Sequence, residues 1–224
     1  MVAVKICGLS DAAALAAAVE GGASYVGFVF YPPSPRAIGP ERAGELARLV
    51  PETCVKVGVF VDPDDALLDR VLAEVPLDAL QLHGAQTPEQ IGAIRARTGR
   101  VAIKALQIAE AGDLAAVPDY AAVADALLFD ARPPKEPGRL PGGNGLVFDW
   151  RLLQGLEVDR PWLLAGGLSL ENLEAAVSLC SAAAVDVSSG VEIRPGVKDP
   201  EKIRQFLARA ATLGPPGRPV AAAS

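Results

Sequence analysis

Cys7 closes the apolar run Val2-Ala3-Val4-Lys5-Ile6 and is followed at once by Gly8, so a thiol stands where a strand gives way to a turn. A thiol placed there is either a base or nucleophile aimed into a site, or a small packing residue, since free cysteine is among the most buried residue types. The same placement recurs down the chain. Arg36 ends a proline-rich loop after an apolar run, His83 closes Ala79-Leu80-Gln81-Leu82, and Asp130 closes Ala126-Leu127-Leu128-Phe129. A carboxyl in apolar surroundings is held protonated and can serve as a general acid; the alternative for Asp130 is a carboxylate satisfied by loop N–H groups. Arg36 offers a fork for a carboxylate or other anion, or else is a solvated loop arginine. Gly166-Gly167 and Ser188-Ser189-Gly190 follow two successive apolar runs. Turns poor in side chains let backbone N–H groups approach an oxyanion, so the two together point to a phosphate cradle. His83 is the sole histidine. A lone histidine at a strand end is as readily a structural hydrogen-bonder as a base, and no chemistry is assigned to it. Cys54 and Cys180 read as packing residues.

The elements that must position these groups alternate regularly. Strands are predicted at 2–7, 25–30, 55–61, 79–82, 101–106, 126–129, 162–165 and 183–187. Helices are predicted at 12–19, 40–50, 64–75, 88–97 and 109–116, then opening at Asp149 and at Ser169, and at 200–209. Thr87-Pro88-Glu89-Gln90 is a capping box with proline in the first turn, and Gly99 ends the helix it starts. The strand runs are continuously apolar, as in parallel strands buried on both faces. Eight near-equal units, with no dinucleotide glycine fingerprint after the first strand, favour a closed (β/α)8 TIM barrel over an open doubly wound sheet. Residues 1–213 are expected to form this single domain, and 214–224, rich in Pro and Ala, a disordered tail. In such a barrel the strand C-termini face the site, and the candidates all lie on those ends. The loop 131–145, dense in Pro and Gly, is expected to act as a lid.

Composition narrows the partners. The 224 residues carry a formal net charge of −6, so no whole-molecule field attracts nucleic acid, and an anionic ligand must be held locally. Three widely spaced cysteines fit neither a disulfide framework nor a zinc cage, which implies a reducing, cytoplasmic setting. No apolar run is long enough to span a membrane, and no signal segment opens the chain.

Several segments together resemble a known family. They are Lys5-Ile6-Cys7-Gly8, Gly27-Phe28-Val29-Phe30 leading to Ser34-Pro35-Arg36, Gln81-Leu82-His83-Gly84, Gly142-Gly143-Asn144-Gly145 with Phe148-Asp149-Trp150, Ala165-Gly166-Gly167-Leu168, and Val185 through Glu192. In this order, across nearly the whole chain, the sequence resembles the phosphoribosylanthranilate isomerases of tryptophan biosynthesis. Asn144 departs from the Ser or Thr expected there. The resemblance implies an Amadori rearrangement of a small phosphosugar substrate, with Asp130 as general acid and Cys7 as general base and with no metal or organic cofactor. It further implies Arg36 on the anthranilate carboxylate, Asp186 near the amino or hydroxyl groups, and Gly166, Gly167, Ser188, Ser189 and Gly190 on the phosphate. Lys5 is not expected to assist Cys7, because alternation sets it further down the barrel. Monomer and homodimer both remain open. The competing readings are another phosphosugar isomerase on the same barrel, from which the pairing of Cys7 with Asp130 separates the resemblance, and a non-catalytic phospho-ligand binding barrel, which ligand binding without turnover would support.

Overall fold

Side chains that alternate across a strand can all be buried only if both faces of the sheet are covered, and that requirement sets the architecture. A computed structural model describes residues 1–133, 142–143 and 145–214. Eight parallel strands pair in chain order: β1 (Ala3–Cys7), β2 (Tyr25–Val29), β3 (Val55–Phe60), β4 (Ala79–Leu82), β5 (Val101–Ile108), β6 (Ala126–Ala131), β7 (Trp162–Leu164) and β8 (Ala184–Val187). β8 pairs back onto β1, with Lys5 opposite Asp186, and closes the barrel. The expected (β/α)8 architecture is therefore present.

Inside the barrel, Ala3, Tyr25, Val57, Ile103, Leu128 and Leu163 belong to one buried apolar cluster. The residues between them in sequence, such as Ile6, Val26, Phe28, Leu127 and Phe129, face outward. They meet the inner faces of α1 (Ala12–Glu20), α2 (Pro40–Ala47), α3 (Asp65–Glu74), α4 (Pro88–Thr98), α5 (Val117–Val123), α6 (Leu173–Cys180) and α7 (Pro200–Ala211) through Leu15, Leu46, Leu68, Ile91, Leu173 and Phe206. Helix starts are fixed locally. Asp11 and Asp64 accept from the N–H groups of Ala14 and Leu67, and the capping box of Thr87 with Gln90 is complete, with Gly99 left-handed at the other end.

Three local expectations are corrected, and one unexpected element is present. The segment 109–116 is a 3₁₀ turn, Ala111–Ala116, and the α-helix follows it as α5, because Pro118 fits a first helical turn. No α-helix opens at Asp149; Asp149 caps only the 3₁₀ turn Trp150–Leu153, and Gly155 at φ +72° turns the chain before a second turn can form. The helix expected from Ser169 begins at Leu173, since Asn172 accepts from the Ser169 N–H and holds 169–172 as a turn. An antiparallel hairpin, β9 (Glu192–Arg194) and β10 (Val197–Lys198), follows β8 without having been foreseen. Of the expected lid, residues 134–141 and 144 lie outside the described residues, as does the tail 215–224. Among the described residues, no helix is long and apolar enough to cross a membrane.

Leu128 is buried inside the barrel, where its removal leaves a void that the closed strands cannot collapse around. Leu128→Ala is expected to cost about 2–5 kcal/mol, read as a lower urea midpoint at unchanged slope.

Candidate active site

The alternation that keeps the lower barrel apolar brings a different set of side chains inward at its C-terminal end. Cys7 ends β1, Asp130 lies near the end of β6, Asp186 is on β8, and Ser188 and His83 sit just past β8 and β4. Cys7, Arg36, His83, Asp130, Asp186 and Ser188 line one cavity of about 520 Å³, together with Tyr31, Val29 and Val59. A second cavity of about 390 Å³ shares Asp130, Asp186 and Ser188 with the first and continues past Gly166, Gly167 and Ser189. Gly190 lines neither cavity; it lies in the 3₁₀ turn Ser189–Val191 against the backbone of Leu168. The combined space has a glycine-lined end and an apolar end that bears Arg36 and Cys7, with Asp130 shared between them.

Asp130 is nearly buried, and its Oδ1 accepts from the Ala131 N–H at 2.9 Å. Burial, with the Asp186 carboxylate second, pushes its pKa up to about 7. His83 Nε2 lies 3.5 Å from Asp130 Oδ2, and His83 Nδ1 is 3.3 Å from Gln81 Nε2. The returning chain passes close above this pair. A β-carbon at Gly142 would stand 2.5 Å from His83 Cε1 and 2.7 Å from Asp130 Oδ2, so only glycine fits. Gly166 and Gly167 both hold positive φ, +87° and +62°, and a β-carbon on Gly166 would lie 2.9 Å from the Ala131 nitrogen. The turn after β7 thus tolerates no side chains at these positions.

Arg36 is buried, not solvated. Its Nε and Nη2 donate to Glu192 Oε1 and Oε2 at 2.7 and 2.9 Å, so the fork grips a carboxylate of the protein itself. Nη1 points toward Gly143. Lys198 donates to Glu192 Oε1 at 2.8 Å, to the Ser188 carbonyl at 2.9 Å and to Ser188 Oγ at 3.1 Å. Ser188 Oγ in turn donates to the Cys7 carbonyl at 3.1 Å. Burial opposes the charge on Glu192, but Arg36 and Lys198 hold its carboxyl below the usual range.

Asp186 accepts from Lys5 Nζ at 2.9 Å. The aliphatic stem of Lys5 carries its ammonium toward Cys7, contrary to the expectation that it stays too deep to matter: a β-carbon on Gly27 would lie 3.2 Å from both Lys5 Nζ and Cys7 Sγ. Burial pushes the Cys7 thiol above its ordinary range, Lys5 and Lys198 act against this, and Asp186 adds to it. Sequence reasoning also passed over Glu192 and Lys198, which nothing in their local sequence distinguishes from surface charges.

The family model for N-(5′-phosphoribosyl)anthranilate (PRA) isomerase matches residues 4–209. The N-(5′-phosphoribosyl)anthranilate isomerase of Paracoccus denitrificans is 61% identical over 209 residues, covering 93% of this chain and 97% of its own. That of Rhodospirillum centenum is 57% identical over 212 residues, covering 95% and 99%. A solved phosphoribosyl anthranilate isomerase from Thermotoga maritima superposes with a TM-score of 0.84 at 37% identity, covering 95% of this chain and 100% of that one.

The raised pKa of Asp130 also costs stability. Its carboxyl ionises near 4 in the unfolded chain but near 7 in the fold, so the folded state is favoured below pH 4 and loses that advantage as pH rises to 7. Asp130→Asn is therefore expected to be more stable than the parent at pH 8, by an amount on the order of a few kcal/mol, with the difference vanishing near pH 4. Denaturation at the two pH values measures it; an equal difference at both would mean that Asp130 is not strained by its ionisation.

Proposed function

Because the chain belongs to the N-(5′-phosphoribosyl)anthranilate isomerase family, we propose that Cys7 is the general base and Asp130 the general acid of its reaction. The activity is the isomerisation of N-(5′-phosphoribosyl)anthranilate in tryptophan biosynthesis. One observation carries the assignment of roles: the two groups open on a single cavity whose ends differ as the ends of this substrate do. The phosphate suits the turns at Gly166-Gly167 and Ser188-Ser189, and the anthranilate ring suits Tyr31, Val29 and Val59. Gly190 contributes by holding the second turn against Leu168.

Charge supports placing the carboxylate at Arg36. Arg36 and Lys198 bring two buried positive charges and Glu192 only one negative, so the cluster has one unit of charge for an incoming anion to neutralise. Glu192 occupies one edge of the guanidinium, and the Nη1 edge remains for the substrate. A related enzyme has been solved with reduced 1-(o-carboxyphenylamino)-1-deoxyribulose 5-phosphate, at 35% identity. By that analogy the sugar lies between the two ends, with Asp186 near its amino or hydroxyl groups.

Asp130 gives its proton to the furanose oxygen; the C1′–O bond breaks and the nitrogen lone pair forms an iminium. The Cys7 thiolate then takes the C2′ proton, the C–H pair becomes the C1′=C2′ bond, and the iminium pair returns to nitrogen. Ketonisation moves one proton onto C1′ from Cys7 and the C2′ hydroxyl proton onto Asp130, which restores both groups. Each step needs a proton donor or acceptor and nothing else. All the groups invoked come from one chain, so this reading requires no second copy, although one Thermotoga maritima relative is dimeric. The buried, unpaired Cys54 and Cys180 fit the reducing conditions of the cytoplasm.

Loss of substrate fluorescence on adding purified protein measures turnover directly. Cys7→Ala is expected to lower kcat about 10²–10⁴-fold with little change in KM, because a proton-transfer group acts in the transition state. Turnover near that of the parent would remove Cys7 from the mechanism. Arg36→Met should instead raise KM by roughly tenfold or more, through loss of a charged hydrogen bond. An unchanged KM would take the carboxylate elsewhere.

A further inference from the structure

The register of β1 on β2 sets Cys7 opposite Gly27 and Lys5 opposite Tyr25. Gly27 leaves a notch in the barrel wall where any other residue would project a side chain inward. A β-carbon there would stand 3.2 Å from Cys7 Sγ and 3.2 Å from Lys5 Nζ, so the thiol and the ammonium converge on the same small space. Lys5 itself is fully buried. An ammonium is retained inside a barrel only when it is paired, and Asp186 accepts just one of its three N–H groups.

We infer that Lys5 is a positioning residue for the reaction: its ammonium, paired with Asp186 and set beside Cys7 Sγ at the Gly27 notch, supplies positive charge that favours the Cys7 thiolate against its burial. The inference rests on Cys7 being the general base. Among the charged groups that face the thiol, Lys5 on the same strand and Lys198 on β10 favour the thiolate, while Asp186 on β8 opposes it. Asp130 on β6, His83 after β4, and Tyr31 and Arg36 after β2 line the same cavity. β3 presents only Val59 to this layer. Lys198 gives its hydrogen bonds to Ser188 and Glu192, whereas Lys5 Nζ borders the same notch at Gly27 as the sulfur. Without Lys5 the largest influence on the thiol, its burial, would be opposed by Lys198 alone, and the thiolate would be harder still to form.

The test is the pH dependence of Cys7 alkylation by iodoacetamide, followed by mass spectrometry of the Cys7 peptide, together with the pH profile of kcat. Lys5→Met removes the charge but leaves Asp186 buried and uncompensated. Lys5→Met/Asp186→Asn restores neutrality and keeps the experiment independent of that penalty, with Asp186→Asn alone as its reference. In both lysine variants the alkylation midpoint is expected to rise by one pH unit or more, and in Lys5→Met kcat at pH 7 should fall about tenfold or more, regained toward pH 10. KM should stay within about threefold of the parent value, because Lys5 does not touch substrate. An alkylation midpoint unmoved in the double variant relative to Asp186→Asn, or a loss of kcat equal at every pH, would overturn the inference and leave Lys5 a purely structural partner of Asp186. Cys7→Ala separates the two levels. If it keeps turnover, the base assignment falls and takes the inference with it; an inactive Cys7→Ala beside an unmoved midpoint overturns the role of Lys5 alone.

Discussion

Closing eight parallel strands into a cylinder leaves an interior that admits side chains but little water, so any polar group that points inward must be paired by the protein or sit at the open end. The lower interior obeys the first half of this constraint by being apolar, from Ala3 and Tyr25 round to Ala184. The polar groups gather above it. Lys5 and Asp186 form the pair nearest that apolar floor, and Cys7, His83, Asp130 and Ser188 crowd the mouth.

Such a concentration of buried charge does not favour folding. Desolvating ions generally costs more than their mutual attraction returns, and apolar residues of the same volume would serve stability better. Asp130 makes the conflict plain: its surroundings favour the uncharged acid, which suits a proton donor and penalises the ionised fold above neutrality. Arg36 and Lys198 exceed Glu192 by one positive charge, an arrangement that an anionic ligand completes. Both features make physical sense as chemistry and little sense as scaffolding.

The hairpin of β9 and β10 ties the ends of the cavity together. Its register sets Lys198 beside Glu192, and from there hydrogen bonds run to Arg36 on one side and through Ser188 to the Cys7 carbonyl on the other. The turn bearing Ser188 and the guanidinium of Arg36 are therefore held by one buried network. Gly142 seals a second junction by allowing the chain to pass over His83 and Asp130 at contact distance.

The sequence by itself determined the barrel, because continuously apolar strand runs and capped helical segments are local patterns that a parallel, doubly covered sheet requires. It also placed Cys7, Arg36, Asp130, Asp186 and the glycine and serine turns on one face, since each ends a strand or follows one. It misjudged the short connectors, where one or two residues, such as Gly155 or Asn172, decide between an α-helix and a turn. What only the tertiary structure decided is which charges meet. Glu192 and Lys198 carry no assigned role until the hairpin brings them together beside Arg36, and Lys5 is expected too deep to matter until its ammonium meets the Cys7 thiol at the notch by Gly27. Pairing of buried charges depends on side-chain reach and on register between distant strands, and neither is written in any local stretch of the chain.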